Sequence, residues 1–225
     1  MRISLLPVLV LACAVPAFAQ APAAQAPSPQ KLFEAGQYDQ AAQAFVKKRE
    51  ASPLSPAETY LAGQVYLRAN QNDKAKEEFA RLAAAADPNW KLIGESAVAL
   101  MENRNDEALN KIDEASARLQ TETAATGGPT GITAAPKNVE RFHALYQTGL
   151  VKSKREDWAG AADAFEKAAQ LEPNFAYAHY YAGLAYSRIQ RPDKVATHFE
   201  HFLTMAPNAP ERAAVMSIMR TIRGR

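Results

Sequence analysis

His198 and His201 stand three residues apart with Glu200 between them, a spacing that on a helix presents both imidazoles on one face. Imidazole and carboxylate both bind zinc, but a site needs a third convergent donor, and no His-Glu-x-x-His pattern occurs. The pair therefore reads as two solvated side chains, and His143 and His179 carry no pattern of their own. No serine sits in a nucleophile elbow, Gly127-Gly128 lies in no strand-loop-helix context for phosphate, and no two acids stand out from the surface carboxylates. The chain is expected not to be an enzyme and to take no cofactor or metal.

The first nineteen residues are set apart by composition. A basic start at Met1-Arg2 leads into an apolar run from Ile3 to Val15 and then into Ala17-Phe18-Ala19, a small-x-small cleavage pattern. The expectation is a signal peptide cut after Ala19 and a secreted or periplasmic product, since the apolar run is too short to span a bilayer. Val10-Leu11-Ala12-Cys13 offers a lipoprotein alternative, which Pro7 and the short run before Cys13 disfavour. Cys13 is the single cysteine, so the mature chain would have no thiol for a disulfide or a nucleophile. Losing Arg2 takes the formal charge from +2 to +1, too close to neutral for a nucleic-acid partner. Arg212, Arg220, Arg223 and Arg225 against Glu211 leave room for an acidic membrane surface, although a solvated face on a terminal helix is the simpler reading.

Beyond the signal, residues 20–29 form a Pro/Ala-rich lead-in and 121–136 a Gly/Thr/Pro-rich loop or linker. Helical spacing of apolar residues fills 30–120, 137–207 and 208–225, and alternating strand-like runs are missing, so the expected class is all-α. One register dominates. Gly149, Ala161, Phe165 and Pro173 are followed 34 positions later by Gly183, Val195, Phe199 and Pro207. A repeat of that length is a pair of antiparallel helices that buries its apolar face only against neighbouring pairs. Turns are expected at Gly36, 70–72, 103–105, 155–157 and 190–192, with Asp73, Asp106, Asp157 and Asp193 at helix starts. Val215, Ile218, Met219 and Ile222 can seal the end of the stack as a capping helix.

These residues resemble the tetratricopeptide repeat family. Ala182-Gly183, Tyr186, Phe199 and Pro207 match its pattern in one copy, and Leu145, Gly149, Ala161, Phe165, Ala168 and Pro173 in another. Ala62-Gly63, Tyr66, Ala75, Phe79 and Leu82, with a late Pro88, form a third. A partial copy around Gly36, Ala41 and Phe45 precedes it, and a degenerate one comes after it at 89–120, where Ser96 takes the glycine position. The resemblance implies a superhelix whose first helices line a concave groove for peptides. Carried over by position, that groove would present Tyr60, Gln64 and Arg68; then His143, Tyr146, Leu150 and Lys154; then Tyr177, Tyr180, Leu184 and Arg188. Tyr66 and Tyr186 fall at core positions. The Lys/Asn clamp by which one subgroup grips chaperone tails is missing, as Tyr and Leu occupy those places.

The implied function is a non-enzymatic protein–protein interaction module, with a protein or peptide as partner and the tyrosines and basic residues of the groove as its contacts. An accessory subunit of a cell-envelope complex docking by its convex face or terminal helix is the first alternative. A hydrolase of envelope polymers is the second.

Overall fold

The computed structural model describes residues 26–125 and 135–224; the expected signal peptide, Cys13, most of the lead-in and the middle of the 121–136 segment lie outside them. Among the described residues there are eleven helices and no strand: α1 (Pro29–Glu34), α2 (Tyr38–Ala51), α3 (Pro56–Arg68), α4 (Asn72–Ala83), α5 (Pro88–Met101), α6 (Asn105–Ala125), α7 (Ala135–Lys154), α8 (Trp158–Leu171), α9 (Ala176–Arg188), α10 (Pro192–Met205) and α11 (Arg212–Arg223). They pair in order as five hairpins and then one terminal helix, the α-solenoid that the 34-residue register predicts.

Local chemistry fixes where the helices begin. Ser55 and Glu58 form a reciprocal capping box at α3, the Ser55 hydroxyl accepting from the Glu58 N–H while the Glu58 carboxylate accepts from the Ser55 N–H. Asp87 accepts from the N–H groups of Asn89 and Trp90 at the start of α5. Pro88, the proline that comes late in the repeat pattern, is the first residue of α5, where its missing N–H leaves no gap in the ladder. Of the four aspartates expected at helix starts, Asp157 caps α8 by accepting from the Gly160 N–H, and Asp73, Asp106 and Asp193 lie in first turns, where their charge complements the positive end of the helix dipole.

Each hairpin turns on one residue in the left-handed region: Gly36, Asn70, Asn103, Glu156 and Gln190, with φ between 56° and 74°. Within the pairs, glycine lets the helices approach. A Cβ placed on Gly149 would stand 2.6 Å from the Phe165 ring, and one on Gly183 2.5 Å from the Phe199 ring; Gly63 and Phe79 stand in the same relation. The degenerate third hairpin solves the crossing differently. Ser96 brings the Cβ, its partner shrinks from Phe to Ile112, and the buried Ser96 hydroxyl donates to the Ala108 carbonyl oxygen at 2.8 Å. On the second helices, buried Glu78 of α4 binds Arg49 of α2 and Arg81 one turn on, tying the first two pairs together.

The 121–136 segment is shorter as a connection than expected. α6 continues to Ala125 and α7 begins at Ala135, and residues 126–134 lie outside the described residues. At the other end α11 packs on α10 with Val215 and Met219 buried and Ile218 and Ile222 against the core, the seal anticipated for the stack. The first helices also meet across the interior, α7 touching α3, α5 and α9. Gly36, in the first hairpin, abuts the Pro210 ring just before α11. The array therefore closes its two ends on each other.

Candidate functional site

Closure changes the character of the concave face. Tyr60, Tyr146 and Tyr177, expected to stand free in a groove, are among the most deeply buried large side chains, at 2%, 2% and 0% exposure. Gln64 and His143 are buried with them. The reason is distance across the ring: inward tyrosines from different hairpins reach each other and pack edge to face, as with Tyr60 and Tyr146 at 6.5 Å and Tyr146 and Tyr181 at 5.9 Å. The Tyr60 hydroxyl donates to the Gln147 side-chain oxygen at 2.8 Å, and burial pushes the Tyr60 and Tyr146 hydroxyls well above the usual phenol range. His143 lies against Tyr60, Trp90 and Phe142, and burial pulls its imidazole down to about 4.

Arg68, expected to steer an acidic partner, already has one. Its Nη1 donates to Glu211 Oε1 at 2.6 Å, its Nη2 to the Tyr181 hydroxyl at 2.6 Å, and its guanidinium lies 5.0 Å from the centre of the Tyr177 ring. The hydroxyls of Tyr38 and Tyr177, 2.9 Å apart, also reach the Glu211 carboxylate, each at 3.1 Å. Tyr180, Leu150 and Leu184 are half-buried; Tyr180 packs on Phe202, and burial raises its hydroxyl to about 12. Only Lys154 and Arg188 are exposed as expected, and Arg188 sits over the Trp158 ring at 5.2 Å. Tyr66 and Tyr186 are core residues, as their pattern positions imply.

Tyr38, Gln147, Tyr181 and Glu211 belong to this interior and were not anticipated. The sequence carried a faint signal for Glu211 alone, as the one acid in a basic tail. The others depend on which hairpins face each other across the ring.

What remains open is a mouth of about 220 Å³ at the start of α3, α7 and α9. Its floor is Tyr60, Phe142, His143, Tyr146 and Phe175, and its half-exposed rim includes Leu61, Val139 and Glu172. Roomier hollows of about 630, 510 and 490 Å³ exist among the described residues, but none of their linings contains a residue of the recurrent tyrosine positions.

The histidines are arranged differently from their sequence reading. His201 is exposed, but His198 is buried, and α9 supplies a third ring: His179 Nδ1 lies 3.1 Å from His198 Nδ1 and its ring stacks on His201. A shared proton between two nitrogens holds that pair together, and burial with the neighbouring His179 pulls His198 down to about 4. No group of three side chains among the described residues is arranged to hold a metal ion.

Comparison with known proteins bears on the fold. No characterised protein matches the chain in sequence. Among solved structures, a chain of the APC/C hetero-tetramer Cut9–Hcn1 is 18% identical with a TM-score of 0.51; the match covers 86% of this chain and 34% of that one. The chain thus spans about a third of the length of that relative. The structure of MamA is 20% identical with a TM-score of 0.43, covering 80% of this chain and 95% of that one. Two stretches match the tetratricopeptide repeat family itself, residues 32–94 and 143–174. They contain the Gly63–Phe79 and Gly149–Phe165 crossings and the left-handed turns at Gly36, Asn70 and Glu156, so sequence and geometry agree on one assignment: the chain is a tetratricopeptide repeat protein.

Proposed function

We propose that the protein is an exported, non-enzymatic interaction module that receives a partner segment at the mouth of its concave face, inserting one apolar side chain of the partner among Tyr60, Phe142, Tyr146 and Phe175. The observation that carries this is the size and lining of the mouth. At about 220 Å³ it is smaller than the roughly 300–1,000 Å³ of pockets that enclose small molecules, and suits a side chain. Its aromatic floor is the kind of pocket in which an anchor residue dominates a protein interface. Export rests on the Met1–Ala19 pattern, which leaves the product secreted or periplasmic.

The test is a photo-reactive amino acid at Leu61 or Val139, on the rim, introduced in the native compartment, and then affinity measurement with the partner so trapped. Leu61→Ala should weaken that complex severalfold beyond any loss seen in the melting curve, which is measured alongside because Leu61 is only partly exposed and packs against the core. Crosslinks confined to a probe at Met216 would move the interface to the terminal helix. That accessory-subunit reading draws on α11, where Met216 is 42% exposed and where, separately, Ile218, Thr221 and Ile222 line a hollow with the α9–α10 turn.

A further inference from the structure

The Arg68–Glu211 cluster joins parts of the chain that an open repeat array would keep apart. Tyr38 begins α2, Arg68 ends α3, Tyr177 and Tyr181 lie on α9, and Glu211 belongs to the connection between α10 and α11. Three donors thus serve one carboxylate, as two tyrosine hydroxyls and one guanidinium nitrogen meet Glu211, while the second nitrogen is anchored on the Tyr181 hydroxyl. The Glu211 side chain is 12% exposed and that of Arg68 25%, so the cluster lies at the edge of solvent and not in the core.

We infer that Glu211 is a latch that holds the ring shut from within, and that the protein opens along the seam between the first hairpin and the α10–α11 connection when an acidic peptide segment supplied in trans takes Arg68, Tyr38 and Tyr177 in its place. The inference rests on the reading of the concave face as the partner surface and adds its regulation.

Three features support a releasable contact over a fixed one. The carboxylate is brought by a non-helical connection, Ala206–Glu211, held to the core only by the small side chains of Ala206 and Ala209, with Pro207, Asn208 and Pro210 exposed. Its receiving groups all point from the repeats to the inside. Phe33 and Tyr38 of the first hairpin lie against Tyr177, so a broken seam uncovers one of the tyrosines that the repeat pattern places in a groove. A latch in cis acts at an effective concentration in the millimolar range, so it masks the site from weak ligands until removed or outcompeted.

The probe is a labelled peptide copying residues 206–211, Ala-Pro-Asn-Ala-Pro-Glu, with a second ending in Gln as control. Added to the full chain carrying Glu211→Gln, the acidic peptide should bind at least tenfold more tightly than to the unaltered chain, and the control should not. Hydrogen exchange in α2, the end of α3 and α9 should quicken in the variant, and in the unaltered chain when the acidic peptide is present in excess. Adding Tyr38→Phe should weaken the peptide complex several-fold without unfolding the protein, since only a hydroxyl is lost. Two results would overturn the latch: a folded variant that binds the peptide no better than the unaltered chain, or exchange that is unchanged across the seam. Neither touches the rim crosslinks at Leu61, so a failed latch and a failed mouth are told apart.

Discussion

At the scale of single residues, the most constrained sites are the glycines under aromatic rings. Gly149→Ala places a methyl group 2.6 Å from Phe165 Cε1, so the ring or the helix must move, and melting should show a loss of about 1–3 kcal/mol. The third hairpin supplies the cure as well as the contrast. Ser96 faces Ile112 at the spacing at which Gly149 faces Phe165, so Gly149→Ser with Phe165→Ile should recover part of that loss; a double variant no better than the worst single would deny that the crossing sets the cost. The imidazoles give a second test. His143 and His198 are held to about 4 by burial, below the ordinary histidine value near 6.5. Unfolding lets them take up protons between those values, so stability is full above about pH 6.5 and falls as pH drops toward 4. Denaturant melts should show lower stability at pH 4.5 than at pH 7, by roughly 2 kcal/mol for the fully buried His143 alone. His198→Gln should flatten the slope; a slope unchanged by it would place the proton uptake elsewhere. The glycine–phenylalanine pairs were legible in sequence because both members lie in one repeat. The burial of Tyr60 and Tyr177 was not, because the pattern says which side of a helix a residue occupies and nothing of what stands opposite.

At the scale of elements, the hairpin turns show where the sequence and its backbone are in tension. Five turns demand the left-handed region at one residue, and glycine fills it only at Gly36. Asn70 and Asn103 are tolerant substitutes, whereas Glu156 and Gln190, at φ 62° and 56°, carry a Cβ against the following carbonyl. Glu156→Gly should therefore stabilise the α7–α8 hairpin by about 0.5–1 kcal/mol, while Asn70→Gly should be close to neutral. Equal effects at the two positions, measured by thermal melting, would mean that side-chain contacts and not backbone strain decide them. Turn positions were readable from Asn and Gly clusters, but the role of Pro88 was not. Proline marks a boundary without saying on which side the helix lies, and the answer came from Asp87, whose carboxylate caps the N-terminus of α5.

For the whole molecule, the question is whether the repeats form a line or a ring. In a line, each hairpin feels only its neighbours, so removing the first pair costs one interface and leaves the last pair as it was. Here the first pair also lies against the last: Phe33 packs on Tyr177 at 4.6 Å, Tyr38 bonds to Tyr177, and Gly36 abuts Pro210. Removing residues 26–52 should thus uncover Tyr177 and loosen α9, more than a hundred positions along the chain. Amide exchange across α9 should quicken severalfold in the shortened protein, by more than across α7–α8, which lies nearer in sequence but makes no described bond to the first hairpin. Exchange that decays evenly with distance from the cut would describe a line, and the buried tyrosines would then need another cover. No repeat pattern could have announced this closure. The 34-residue register is set by contacts between adjacent pairs, while the ring is set by side chains as far apart as Tyr38 and Glu211, which meet only after every hairpin between them has added its turn.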